Sequence, residues 1–68
     1  MANKKIQKLT KLLHHWAEHN DSHKESFLKW RDIAKGEGLE SVAEELTKAI
    51  EMIDKSTEHL LNAHKELK

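Results

Sequence analysis

Lys35-Gly36-Glu37-Gly38-Leu39-Glu40-Ser41-Val42-Ala43-Glu44 contains both glycines of a 68-residue chain that has no proline. A glycine just past a helix supplies the left-handed cap residue that other side chains resist. Ser41 with Glu44 three residues on reads as a capping box, and Leu39 is placed to act as its hydrophobic staple. The segment is therefore a stop followed by a start. Outward from it, Lys, Glu, Leu and Ala dominate in both directions and tyrosine is absent, a composition that favours helix over sheet. The expected architecture is all-α, a long antiparallel helical hairpin forming a single domain over 1–68. Helix 1 is expected over about 3–35 and helix 2 over about 41–67.

Periodicity supports both helices. At 100° per residue, Leu9, Leu12, Trp16, Phe27, Trp30 and Ala34 fall on one stripe of helix 1. Val42, Leu46, Ala49, Ile50, Ile53, Leu60 and Leu67 do the same on helix 2. Asn20-Asp21-Ser22 are poor mid-helix residues, and Ser22 with Glu25 makes a second capping box. The stripe nevertheless keeps its phase from Trp16 to Phe27. A continuous or kinked helix is the expectation, with a three-helix domain as the alternative.

A lone hairpin leaves each stripe half covered. Its apolar area at ~25 cal/mol per Å² barely offsets the chain entropy. Pairing two hairpins into a four-helix bundle removes the difficulty, so a homodimer is expected. Formal charge is zero overall, but residues 1–35 carry eight Lys/Arg against four Asp/Glu and residues 36–68 the reverse, +4 and −4. Antiparallel helices of that kind attract one another weakly and so select orientation. Lys4, Lys5, Lys8 and Lys11 form a basic cluster without interleaved aromatics, which reads as a solvated helix end and not as a nucleic-acid site. No cysteine is present, excluding disulfides and thiolate metal sites. No apolar run is long enough to span a membrane, and no signal-peptide pattern is visible, so the expected compartment is cytoplasmic.

Six histidines are the main functional hint, and four of them, His14, His15, His19 and His23, lie within ten residues. His15, His19 and His23 are spaced by four, on one face and about 6 Å apart. If the hairpin turns near Glu37, residues whose numbers add to roughly 75 face each other. His19 then meets Ser56 and Thr57, so that polar faces polar at one depth. Two readings stand. In one, His19 and His23 hydrogen-bond across a core layer and fix register. In the other, imidazoles at i and i+4 chelate a divalent transition metal. His15 and His23 lie ~12 Å apart along the axis. The chelate is thus His15/His19 or His19/His23, completed by Glu18, water or a second protomer. His64 is expected on the apolar face of helix 2 and His59 in solvent.

His15-Trp16-Ala17-Glu18-His19 matches H-x-x-E-H, the inverted zinc-peptidase pattern in which the glutamate is the base. The chain is too short for a substrate cleft and lacks a clear downstream ligand helix, so no enzyme is expected. No E-x-x-H pair occurs, which argues against a ferritin-like di-iron site.

The run Leu12-Leu13-His14-His15-Trp16-Ala17-Glu18-His19-Asn20, followed by His23, Phe27 and Trp30, resembles a family of short, uncharacterised prokaryotic helical domains. Their shared pattern is approximately L-L-x-H-W-x-x-H-N-x-x-H-x-x-x-F-x-x-W. Such domains occur beside, or fused to, small nickel-binding proteins. The resemblance covers helix 1; over helix 2 it is general helical character. It implies a role in transition-metal handling, with another metal-handling protein as partner, and it carries over His15, His19, Asn20 and His23. The family pattern often has proline at the position of His14, so His14 is not carried over and a kink is allowed there. The combined expectation is a non-enzymatic protein that binds nickel or zinc through His15, His19 and His23 with Glu18. The alternative is a structural or adaptor module that uses its Trp16/Phe27/Trp30 stripe to grip itself or a partner helix.

Overall fold

The computed structural model describes residues 4–67 and consists of two helices, α1 over Lys4–Gly36 and α2 over Glu40–Glu66, packed as an antiparallel hairpin. The expected start of helix 1 at residue 3 lies outside the described residues. α1 runs through Asn20-Asp21-Ser22 without interruption, so the second capping box does not form and the three-helix alternative is excluded. A polar run that keeps the seam in phase lets an α-helix continue, because packing against α2 outweighs a few tenths of a kcal/mol of poor propensity per residue.

The turn is a Schellman motif. Leu39 N–H donates to Ala34 C=O at 2.9 Å and Gly38 N–H to Lys35 C=O at 3.1 Å, the paired 6→1 and 5→2 bonds that close a helix on a left-handed residue. That residue is Gly38, with φ +77°, whereas Gly36 still belongs to α1. The Ser41/Glu44 box is not formed. α2 begins at Glu40 with Leu39 at the N-cap, and no side chain caps it. The turn is so short that the chain enters α2 before Ser41 is reached. Leu39 therefore occupies the cap itself and stays half exposed instead of acting as a staple.

Burial traces a heptad seam. Along α1 the buried and half-buried positions include Thr10, Leu13, Ala17, Asn20, Lys24, Phe27, Arg31 and Ala34; along α2 and its C-cap they include Ala43, Leu46, Ile50, Ile53, Thr57, Leu60, His64 and Leu67. Both series alternate steps of three and four, the pattern of a two-stranded coil. Register follows from three contacts: Asn20 meets Ser56, Lys24 meets Asp54, and His14 meets His64. Facing residues thus have numbers adding to about 77, two more than expected.

The expected stripe of helix 1 is corrected accordingly. Leu13 and Ala17 are buried with Ala34, whereas Leu9, Trp16 and Trp30 are exposed. α1 carries two apolar faces about 100° apart, and the less bulky one faces α2. Close approach of the helices beside so tight a turn requires small residues, and Ala34 and Ala43 flank that turn at 6% and 1% exposure. Trp30 and Ile33, one step earlier in phase, are too large for that place.

Candidate metal centre

All four histidines of the α1 row are exposed, and no polar or charged residue is buried as a whole among the described residues. His19 and His23 each sit one residue before a seam position, Asn20 and Lys24. Their shared face runs beside the seam, not into it. The polar contact to α2 expected at His19 is instead made by Asn20, whose Nδ2 donates to Ser56 Oγ at 3.2 Å in an exposed position. Thr57 Oγ1 is buried at that depth with no hydrogen-bond partner.

Helical spacing brings His19 and His23 together. Their Nε2 atoms are 2.8 Å apart, with ring centroids at 4.3 Å and planes at 89°. One Nε2–H donates and the other Nε2 accepts, so the bond exists only while at least one ring is neutral. Two imidazole nitrogens converging from one side are also half of a tetrahedral donor set. With Zn–N distances of about 2.0–2.1 Å, such a set holds its nitrogens about 3.3 Å apart. Opening the pair by roughly half an ångström is within the reach of side-chain rotation, so the donors fit an ion between them.

The remaining expected ligands are placed differently. His15 continues the row, stacked on His19 with centroids 6.2 Å apart and planes at 21°, turned further from the seam. Glu18 points the other way, its Oε1 3.4 Å from His14 Nε2. His14 also lies 6.4 Å from the His64 ring, in an open cluster on the opposite face. No group of three or more His, Asp or Glu side chains among the described residues is close enough to hold one ion. A single hairpin thus offers a two-imidazole site backed by Phe27, whose ring is 6.2 Å from His23.

Heptad phase adds a further histidine to this face. The positions just before the seam on both helices project from the same side of an antiparallel hairpin, because the two helices rotate in opposite senses along a common axis. On α1 they are Leu9, Leu12, Trp16, His19, His23, Ser26, Trp30 and Ile33; on α2 they include Val42, Ala49, Met52, Ser56, His59 and Ala63. His59, expected in open solvent, is exposed but belongs to the histidine face. The signal available was the heptad itself, since His59 precedes Leu60 as His19 precedes Asn20. An open groove of about 680 Å³ near the turn, between Lys35 and Glu51, lies away from the histidines and is lined by charges of both signs.

No helix among the described residues is long and apolar enough to cross a membrane. Neither the curated proteins nor the solved structures offer a match to the chain. A family model does match, over residues 9–67, which takes in most of both helices, the whole turn and every histidine. The chain accordingly belongs to the family described as a domain of unknown function, DUF8180.

Proposed function

We propose that the protein is a non-enzymatic binder of a divalent transition metal, nickel or zinc, and that His19 and His23 are its primary ligands. The observation that carries this reading is the 2.8 Å approach of the two Nε2 atoms. Imidazole is a good ligand for both ions, and an i, i+4 pair on an unbroken helix is held ready without loop ordering. His15 and Glu18 are auxiliary donors that a bound ion could recruit by rotation. The resemblance of the α1 run to domains found beside nickel-binding proteins supports the same chemistry, with a metal-handling protein as a further partner.

The same reading includes a homodimer. The hairpin exposes 5610 Å², whereas a compact monomer of 7.9 kDa exposes about 4,400 Å². Trp30 and Met52 are each 56% exposed and Trp16 42%, all on the histidine face. A face of that kind supports self-association. It also supports the second reading, in which the chain is an adaptor that grips a partner helix and the histidines are a polar band in the interface.

Calorimetry with nickel and zinc on tag-free protein separates the two. His19→Ala is expected to weaken binding at least ~10-fold, the size of loss that even outer-sphere changes cause, while His14→Ala leaves it nearly unchanged. Equal losses from both variants would mean indiscriminate capture by a histidine-rich surface. A wild type that takes up neither ion at neutral pH would leave the adaptor reading in its place.

A further inference from the structure

We infer that the metal site is completed in trans: two hairpins pack through their histidine faces, and His59 of one copy joins His19 and His23 of the other. This rests on the metal reading above. Among the described residues of one chain no third donor stands close enough to the pair as it is placed, and a two-coordinate imidazole site is short of the four ligands that zinc prefers.

The face has the area of an interface. The hairpin measures 57 by 14 by 12 Å between Cα extents, so one side projects roughly 800 Å², the share one partner gives to a standard interface. Two features choose how the copies meet. The half containing α1 carries +4 and the half containing α2 carries −4. Placing α1 over α2 of the second copy therefore aligns opposite charge, whereas α1 over α1 opposes like charge. Size agrees with charge: α1 presents Trp16 and Trp30, and α2 presents the small Ala49, Ser56 and Ala63.

Depth then follows without adjustment. With α1 over α2 and a two-fold along the hairpin, like ends lie together and every residue keeps its level. Facing numbers that add to about 77 set His59 level with residue 18, one residue and about 1.5 Å from His19. Helices in contact run 8–10 Å apart, a gap that opposed imidazoles span. The dimer then holds two equivalent sites, each with three imidazoles and one position open to water or to a donor from a partner protein.

Sedimentation equilibrium and nickel or zinc calorimetry on tag-free, full-length protein test this. The wild type should be a dimer that binds one ion per chain. His59→Ala, at an exposed position, should keep its helicity and dimerise, yet bind at least ~10-fold more weakly. Mixing His59→Ala hairpins with His19→Ala/His23→Ala hairpins should restore wild-type affinity at one ion per mixed dimer, because one of the two sites regains all three donors. Wild-type affinity in His59→Ala alone, or no restoration on mixing, overturns the shared site; if His19→Ala still loses binding, the metal reading survives. A wild type that stays monomeric when loaded overturns the shared site in the same way. A wild type that binds no ion overturns both.

Discussion

Thr57 shows what a single orphaned hydroxyl costs. Its Oγ1 is buried in the seam with no partner, beside an Asn20–Ser56 bond that spends the available donor one residue away. An unsatisfied buried hydroxyl costs about 1–3 kcal/mol. Thr57→Val keeps the shape and removes the debt, so denaturant unfolding should show it more stable by about 1 kcal/mol; a loss would mean that the hydroxyl has a partner in solution. Asn20 and Ser56 should be coupled in a double-mutant cycle, by ~0.5–1 kcal/mol at this exposed position, and His19 and Thr57 should not. The histidine pair has its own test at this scale. Only a free-base nitrogen ligates, so acidification must release bound metal. Titrating the loaded protein downward from neutral pH should show that release together with proton uptake. Much of this site was legible: the i, i+4 spacing of His15, His19 and His23 gave the face, and it gave the neighbours. The donor that actually crosses to α2 was not, because a register error of two residues exchanges His19 for Asn20.

The turn sets the relation between the helices. Gly38 alone requires a left-handed backbone, and a Cβ there would meet nothing within 4 Å. Gly38→Ala should therefore destabilise by about 1 kcal/mol through backbone conformation alone. Gly36, inside the last turn of α1 and equally unobstructed, should respond in the opposite sense, with Gly36→Ala gaining roughly 0.5–1 kcal/mol. Opposite signs for two alanines placed two residues apart in thermal or denaturant unfolding would locate the cap; equal signs would refute it. Both helices and the reversal between them could be read from the sequence, since only one segment breaks a long helical composition. The inner face of α1 could not. Hydrophobicity ranks Trp16 and Trp30 above Leu13, Ala17 and Ala34, but burial next to a tight turn is decided by volume. The seam residues Asn20, Lys24 and Arg31 are polar enough to disguise the heptad, although Lys24 is held by Asp54 at 2.7 Å. Polar groups at seam positions fix register at a cost in stability, consistent with a hairpin whose pairing is specified more than it is strengthened.

Taken whole, the hairpin is long and thinly built, with Leu13, Ala17, Ala34, Ala43 and Ile50 as the buried ones among the described residues. Sedimentation equilibrium at micromolar concentration should return twice 7.9 kDa, and Trp30→Lys, which places a charge on the exposed face near the turn, should return the monomer with reduced thermal stability. A wild type that remains a stable monomer would show that five buried side chains suffice. The shape also restricts what can lie against it. Two straight helices side by side would be about 14 Å across but only about 5 Å thick between Cα atoms, whereas the two short extents here are 14 and 12 Å. The ribbon is therefore wound. A left-handed coil with a pitch of about 150 Å turns through roughly a third of a revolution over 57 Å. Trp30 and Leu9, though on one stripe and about 31 Å apart along the axis, consequently face directions roughly 75° apart. A flat sheet or a straight rod can touch that stripe only over a fraction of its length. Only an occupant of the same handedness and similar pitch can follow it from end to end, and so the topography, independently of any side-chain chemistry, selects another coil.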